Sequence, residues 1–315
     1  MSLWTLILQR ILLMIATLFC VAVLTFLIVN VLPGDVAVAI LGDQSTPDQV
    51  EALRQSMGLD QPILLRFGDW FGGVMRGDFG TSLTFGRPVG PMIWGRLLNS
   101  ATLGVICLLV MIPVSILLGA VAAVTQGSVL DRAITAITTF LFGMPEYVLA
   151  LGAMLIFAIW LQWLPGAAMV SPGENLFTQL DVIVLPVLVI SLGGATYIIQ
   201  MTRASMIDAL GTAYVRTALL KGVPRWQVIL KHALPNAMLP TLVEIGLSFG
   251  ALLGGLVIIE TIFNFAGVGQ LMVMSVQSRD VPVLQACVLV IAAAYSVGSL
   301  LADIASMLLN PRLRT

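Results

Sequence analysis

The sequence predicts an all-α integral membrane protein with six transmembrane helices. Of its 315 residues, 59% are hydrophobic and only 10% are charged, and the mean hydropathy is +1.03. A soluble domain of this length needs a more polar surface than such a composition provides. In addition, six separate segments reach the roughly 20 mostly apolar residues that a helix needs to cross a bilayer.

The predicted spans cover residues 9–31, 99–124, 133–160, 182–203, 236–260 and 282–308. The first apolar run is longer than the roughly 7–15 residues of a signal-peptide core. It ends in Pro33-Gly34-Asp35, so we predict that it is retained as a helix. Four spans contain a proline whose lost backbone hydrogen bond can be replaced by neighbouring helices. These prolines are Pro113, Pro145, Pro186 and Pro240.

The distribution of basic residues predicts that both termini face the cytoplasm. The short loop 161–181 has no Lys or Arg, and five of the six arginines on its side lie in the long segment 32–98. Basic residues in long loops have little influence on orientation. The predicted parts are a cytoplasmic N-terminus with the first helix at 1–31, an external segment at 32–98, a transmembrane core at 99–308 with a polar loop at about 204–235, and a cytoplasmic tail at 309–315.

The external segment is predicted to form a small folded unit between the first two membrane helices. Thr46 suits the capping position of a helix, and Pro47 suits its first turn. We therefore predict a helix over about 47–57 that ends near Gly58. The remainder of the segment is rich in glycine and has the character of turns.

A polar, basic stretch at residues 212–240 interrupts the apolar sequence between the fourth and fifth predicted spans. It holds Lys221 and Lys231, the only two lysines, and His232, the only histidine. Charged side chains are costly within a bilayer, so this stretch must lie in water or against a partner in water.

Glycine and proline divide the stretch into two predicted short helices, at about 205–221 and 224–233. Gly222 suits the end of the first helix, where a left-handed residue is usual. Pro224 suits the first turn of the second, where its missing N–H has no cost. Pro235 then marks the re-entry into the membrane.

The first of these helices has an apolar face that Arg216 and Lys221 flank. The members of this face are Val215, Ala218, Leu219 and Gly222. An apolar ridge with a basic rim suits a groove on another protein. The alternative is a basic helix pair that lies on anionic lipid.

Several spaced motifs together resemble one family. In the polar stretch they are Tyr214-Val215-Arg216-Thr217-Ala218, Lys221-Gly222, His232-Ala233-Leu234-Pro235 and Asn236-Ala237. Elsewhere they are Leu32-Pro33-Gly34-Asp35, Gly58-Leu59-Asp60-Gln61-Pro62, Gly77-Asp78-Phe79-Gly80, Glu260-Thr261-Ile262-Phe263 and Gly267-Val268-Gly269. In this order, over nearly the whole chain, they are similar to the inner-membrane permease subunits of the dipeptide/oligopeptide/nickel ABC importer family. Arg216 stands where most importers carry a Glu, whereas Val36, Ala266 and Asn310 depart from the family pattern.

This resemblance implies a permease that forms half of a translocation path for short peptides, nickel chelates or similar small polar solutes. Residues 212–240 would then be a coupling loop that docks on a cytoplasmic ATPase. The residues assigned to coupling are Tyr214, Arg216, Thr217, Ala218, Lys221, Gly222, His232, Leu234, Pro235 and Asn236. The implied partners are a second homologous permease, two ATPase subunits that bind ATP and magnesium, an external solute-binding protein and membrane lipid. The implied location is the inner membrane of a bacterium.

No catalytic, metal or nucleotide site is predicted in the chain itself. A phosphate-binding P-loop needs a Gly-Lys pair before Ser or Thr, but Lys221 and Lys231 each follow a leucine. Cys20, Cys107 and Cys287 lie far apart, without the spacing of a metal site or a disulfide framework. The net charge of −1 argues against a nucleic-acid partner, which needs a basic surface.

Three carboxylates fall within the predicted spans: Glu146, Glu244 and Asp303. A charged carboxylate near the bilayer centre costs roughly 2.5–3.5 kcal/mol on insertion scales, so each should face the bundle interior or water. Glu146 and Glu244 either line the translocation path and meet a cationic group of the substrate or bond to a neighbouring helix. Glu260, from the motif above, is a third candidate for the path, whereas Asp303 is interpreted as an anchor near the cytoplasmic end.

Two other functions compete with an importer. A secondary transporter would use Glu146, Glu244 and Asp303 as proton relays, but it would need internal repeats and a complete path in one chain. The sequence shows no such repeat. A membrane anchor or receptor without transport activity has no need of the coupling loop.

Overall fold

The structure is a computed structural model that describes residues 3–31, 46–49, 51, 61–169 and 180–309. The helices are α1 (Leu3–Val31), α2 (Ile63–Met75), α3 (Val89–Val124), α4 (Val129–Phe142), α5 (Glu146–Ala153), α6 (Leu180–Leu210), α7 (Ala213–Leu220), α8 (Leu234–Ile262), α9 (Val268–Gln277) and α10 (Val281–Leu309). The π-helical segment Met154–Trp160 continues α5, and the π-helical segment Val228–Ala233 joins a short helix, Arg225–Gln227, to α8. The prediction of an all-α membrane protein is confirmed.

Four of the described helices contain a span that is long and apolar enough to cross a membrane alone. These spans are Ile7–Ile28, Val89–Val124, Leu180–Leu210 and Val281–Ile304. Two bent pairs meet the same criterion jointly, namely Val129–Phe142 with Glu146–Trp160 and Arg225–Gly250 with Leu252–Ile262. The described part of the chain therefore has four to six candidate spans, and the predicted number of six requires that each bent pair forms one span.

The third predicted span, 133–160, is wrong as a continuous helix, because the chain bends by 108° between α4 and α5. Pro145 lacks the N–H that would continue the hydrogen bonds of α4, and its ring disfavours the helical conformation at Met144. Pro145 has extended backbone angles (φ −59°, ψ 142°) and precedes the first residue of α5. The other three prolines lie inside α3, α6 and α8, as predicted.

Helix α3 begins at Val89, well before the predicted start at 99. Pro88 occupies the position before its first turn, where a missing N–H has no cost. Val89 and Ile93 are buried against α9, so tertiary packing stabilises these added turns. The segment predicted as external, 32–98, thus includes the start of a membrane-length helix.

The predicted helix start at Thr46 is confirmed. The N–H of Gln49 donates to Thr46 Oγ1 (3.4 Å), and the N–H of Thr46 donates to Gln49 Oε1 (3.0 Å). This reciprocal pair is a capping box, which satisfies two backbone donors at the start of a helix. The predicted end of this helix near Gly58 lies outside the described residues.

Helix α2 forms where the sequence predicted turns. Its residues Phe67, Trp70 and Phe71 lie on one helical face because they are three and four positions apart. They pack on Phe19 and Phe26 of α1, with ring centroids 5.3 to 6.2 Å apart. These aromatic contacts outweigh the low helix propensity of the glycines in this region.

Helices α3, α6 and α8 share the central hydrophobic cluster of the bundle. Its fully buried members include Leu103, Cys107, Ile198 and Ile259. Gly119 permits the close approach of α3 and α6, because a Cβ at this position would lie 2.6 Å from the Cβ of Thr202. The backbones of α3 and α6 therefore approach each other closely at Gly119.

The two ends of the bundle carry different residues. Val89 at the start of α3 packs with Val283 at the start of α10, so these helices run in the same direction. Arg10 near the start of α1 forms an ion pair with Asp303 near the end of α10, at 3.0 Å. The end with this ion pair also holds the loop between α6 and α8, and we call it the loop end. The opposite end holds residues 76–88 and the start of α9.

Candidate functional site

The loop predicted to serve in coupling follows directly on α6, which continues to Leu210 rather than ending at the predicted 203. The prediction of one helix over 205–221 is wrong, since Gly211 and Thr212 separate α6 from α7. Glycine weakens a helix interior, and Thr212 Oγ1 donates to the carbonyl of Ala209 at the end of α6 (2.6 Å). Thr212 then takes extended backbone angles (φ −74°, ψ 156°), which redirect the chain into α7.

Gly222 ends α7 in the left-handed conformation that the sequence predicted, with φ +78°. The N–H of Val223 donates to the carbonyl of Ala218 (3.2 Å), and the N–H of Gly222 donates to that of Leu219 (3.0 Å). This pair of bonds is a Schellman motif, which satisfies carbonyls at a helix end. A Cβ at Gly222 would meet no atom within 4 Å, so its backbone conformation alone favours glycine here.

The second predicted loop helix, 224–233, is not a separate element. It starts after Pro224, as predicted, but passes through the π-helical segment into α8 without a break. Leu234 and Pro235 form the first turn of α8. Proline has no N–H to donate, and the wider π-helical turn before it is a common way to accommodate an irregular hydrogen-bond pattern within a helix. The second half of the loop is therefore helical without a break into α8.

Tyr214, His232 and Asn236 form a hydrogen-bonded brace between α7 and the start of α8. The side-chain amide of Asn236 donates to the Tyr214 hydroxyl (3.1 Å) and to the carbonyl of His232 (2.7 Å). The Tyr214 hydroxyl donates to the same carbonyl (3.4 Å). Three residues that the family resemblance assigned to the loop thus hold its two halves together.

The exposed part of the loop carries apolar and basic side chains, and of the large apolar residues predicted for its face only Leu219 is exposed. Val215 is buried, with 2% of its surface exposed, so it anchors α7 to the bundle. The exposed apolar side chains are Leu219, Leu220, Trp226 and Leu230. The exposed basic side chains are Arg216, Lys221, Arg225 and Lys231. We call these eight residues the loop surface.

Beneath the loop, Asp131 and Arg203 join α4 to α6 through two parallel bonds of 2.6 and 2.9 Å. Asp131 also accepts a bond from the N–H of Gly127 (2.9 Å), and its own N–H donates to Ser128 Oγ (3.2 Å). Asp131 was not among the residues predicted from the sequence. The signal for it was the capping pattern formed by Ser128 and an acidic residue three positions later.

Glu146 and Glu244, which the sequence placed in separate spans, line a single cavity of about 230 Å³ at the junction of α5, α6 and α8. Tyr197, Leu247 and Ser248 also line this cavity. We call it the carboxylate cavity. Because α6 leads into the coupling loop and α8 begins at it, two of the helices that form the cavity are attached to the loop directly.

Glu260 lies elsewhere, near the opposite end, where its buried carboxylate caps the start of α9. Its Oε2 accepts bonds from the N–H groups of Gly269 (2.7 Å) and Gln270 (3.3 Å), and its Oε1 accepts one from Ser100 Oγ (2.5 Å). Negative charge is favourable at a helix N-terminus. A Cβ at Gly267 or Gly269 would collide with this carboxylate, so glycine at both positions leaves room for Glu260.

Asp280 organises the turn at the opposite end and was not identified from the sequence. It is 1% exposed, and its carboxylate accepts bonds from Ser82 Oγ (2.5 Å), Leu83 N–H (3.2 Å) and Thr84 N–H (3.1 Å). It thereby ties the turn between α2 and α3 to the start of α10. No local pattern in the sequence indicated this contact across the chain.

Two family descriptions match the chain. Residues 115–315 match the family described as binding-protein-dependent transport system inner membrane component, and residues 3–90 match the N-terminal part of such membrane components. The first match alone covers most of the chain, including the loop between α6 and α8. The chain belongs to this family.

Relatives of this permease match it over almost its full length. A probable peptide ABC transporter permease of Sinorhizobium fredii is 33% identical, and a putative peptide transport system permease of Brucella abortus is 35% identical. The glutathione transport system permease GsiC of Salmonella typhimurium is 37% identical. Each alignment covers 98% of this chain and 98% of the relative.

The permease is therefore a multi-pass inner-membrane subunit of an ABC importer. It is a non-catalytic component, and ATP hydrolysis belongs to a separate subunit. The proton-coupled secondary transporter considered from the sequence has no support among the relatives.

Proposed function

We propose that this permease imports short peptides, or a similar small polar solute, and that the coupling loop transmits the motion of the ATPase to the membrane helices. The proposal on the substrate is supported by the relatives named for peptide and glutathione transport. The proposal on the loop is carried by one observation, the exposed apolar and basic side chains of the loop surface.

The loop surface suits a protein partner. Leu220 is 84% exposed and Trp226 is 58% exposed, although they belong to a loop whose other side is well packed. Clustered apolar side chains of this kind mark an interaction site, and burial of aromatic and leucine side chains in a groove supplies binding energy. The basic rim favours an acidic border around that groove. The ten motif residues named from the family resemblance are proposed as the coupling element, with Tyr214, His232 and Asn236 in an internal, bracing role.

The connection from loop to cavity supports a mechanism. Movement of the loop surface passes through the brace into the start of α8, and through Gly211 and Thr212 into α6. Both helices contribute side chains to the carboxylate cavity. We include Glu146 and Glu244 in the translocation path on this basis. Glu260 is kept as a candidate at the opposite end of that path, where its capping of α9 would set the local shape.

The proposed assembly contains this permease, a second homologous permease, two ATPase subunits that hold ATP and magnesium, and an external solute-binding protein. Both termini and the loop end face the cytoplasm in this arrangement. The ion pair of Arg10 with Asp303 at the loop end agrees with an anchoring role for Asp303.

Copurification of the assembled importer tests the loop assignment. Leu220→Asp places a charge in the centre of the loop surface, and we expect it to abolish retention of the ATPase and ATP-driven uptake. Val129→Asp is the matched control, because Val129 is also 84% exposed and an acidic residue is favourable in the first turn of a helix. Normal ATPase retention by the Leu220→Asp variant would refute the proposed docking surface.

A further inference from the structure

The carboxylate cavity holds two acidic groups, and none of its described lining residues is basic. Among the described residues, neither Glu146 nor Glu244 has a hydrogen-bond or ion-pair partner. Both side chains are only partly exposed. An unpaired carboxylate in apolar surroundings costs free energy, and two in one cavity also repel each other. The cavity therefore carries negative charge that none of its described lining residues balances.

Ser248 provides an independent indication that the cavity is a binding site. It lines the same cavity and is 5% exposed. Within the described part of the chain, its hydroxyl is the single buried side-chain polar atom that lacks a hydrogen-bond partner. Buried polar groups are almost always satisfied, so an orphaned hydroxyl at a cavity wall calls for an explanation.

Glycines in the surrounding helices keep room for the acidic group. A Cβ at Gly255 would lie 2.5 Å from Glu146 Oε2, and one at Gly193 would lie 3.7 Å from Glu146 Oε1. The backbones of α8 and α6 therefore approach the carboxylate closely without covering it by side chains. By contrast, the cavity between α3, α4 and α6 is lined almost entirely by apolar side chains.

We propose that the carboxylate cavity binds the ammonium group of the transported solute during its passage. This inference deepens the proposed function and rests on it, because a short peptide carries such a group at its amino terminus. A primary ammonium has three N–H donors and one positive charge. Glu146 and Glu244 supply the opposite charge from two helices of the cavity. Ser248 follows Glu244 by four residues on α8, so its hydroxyl and the Glu244 carboxylate lie on one helical face as acceptors. Charge-assisted bonds of this kind are the stronger class of hydrogen bond.

The test compares the entry of small cations and anions into the cavity of the complete importer complex. Leu247→Cys places a reactive thiol on the cavity wall at a position that is 68% exposed, in a background where the exposed Cys20 is replaced by Ser. The modification rates by 2-aminoethyl and 2-sulfonatoethyl methanethiosulfonate are measured and expressed as a ratio. We expect Glu146→Gln with Glu244→Gln to lower the ratio of ammonium to sulfonate reagent by about tenfold, the lower range of electrostatic focusing in clefts. Glu51→Gln, the same chemical change outside the cavity, should leave it unchanged.

Trialanine and its N-acetylated form extend the test to the solute itself. Trialanine should slow the modification by the ammonium reagent in the parent, whereas N-acetyltrialanine should not, and Ser248→Ala should weaken the protection. An unchanged reagent ratio after removal of both carboxylates would overturn the inference. A thiol at position 247 that reacts with neither reagent would overturn it too, since the cavity would then be closed to small solutes. Failure of the proposed function is seen separately, as absence of ATP-driven trialanine uptake by the parent importer in proteoliposomes.

Discussion

The side-chain amide of Asn236 donates a hydrogen bond to the hydroxyl of Tyr214, with 3.1 Å between nitrogen and oxygen. This bond connects α7, which carries part of the loop surface, to α8, which carries Glu244 and Ser248. Helix α7 is therefore connected to α8 by a side-chain hydrogen bond as well as by the peptide backbone. Two motif residues that lie far apart in the loop thus link its two halves.

Removal of this bond should weaken coupling more than assembly. Tyr214→Phe and Asn236→Ala each remove two hydrogen bonds, so each should lower stability by about 1–2 kcal/mol, since one bond contributes about 1 kcal/mol net. ATP-driven uptake should fall while the ATPase still copurifies, because the loop surface is unchanged. Tyr147→Phe is the matched control, since Tyr147 is an exposed tyrosine outside the loop. Unchanged uptake in both brace variants would show that the bond is not needed for coupling.

Gly222→Ala should destabilise the end of α7 through its backbone conformation. A non-glycine residue in the left-handed region costs about 1–2 kcal/mol, and no neighbouring atom adds a steric penalty. We expect a lower thermal midpoint and reduced ATPase retention in the purified complex. Gly95→Ala, inside α3 and also without neighbours within 4 Å, should be neutral or slightly stabilising. If the two variants unfold alike, the left-handed conformation is not what matters at Gly222.

Gly267→Ala should disrupt the corner between α8 and α9. The added Cβ would collide with the carboxylate of Glu260, and overpacking of a buried site typically costs about 1–3 kcal/mol. Thermal unfolding of the detergent-purified complex measures this loss. Gly254→Ala serves as the control within α8, because a Cβ there meets nothing within 4 Å. Equal stability of the two variants would contradict the close approach of Glu260 to Gly267.

Asp280→Ala should release the turn between α2 and α3. Three donors from residues 82–84 lose their common acceptor, and one hydrogen bond to a charged group contributes about 1.5–3 kcal/mol. We therefore expect a lower thermal midpoint and faster proteolysis between residues 82 and 87. Asp69→Ala, at an exposed position on α2, should alter neither. Protection of the turn in the Asp280→Ala variant would mean that other contacts hold it.

Much of the fold could be predicted because hydropathy and proline or glycine chemistry are local properties. A few adjacent residues are enough to predict the end of α7 at Gly222, the capping box at Thr46 and the boundaries of α8 and α10. The break at Pro145 could not be distinguished from the tolerated prolines of α3, α6 and α8, since a proline is accepted or expelled according to what packs around it. Helix α2 was missed for the same reason, because its stability comes from aromatic contacts with α1.

The sequence by itself determined that this protein is an all-helical membrane permease with a basic loop and a few carboxylates in apolar surroundings. Composition, periodicity and spaced motifs carry that information without reference to distant contacts. Only the tertiary structure decided that Glu146 and Glu244 share one cavity while Glu260 caps a helix, and that Asp131 pairs with Arg203. These relationships depend on helix packing between residues far apart in the chain, which no local pattern encodes.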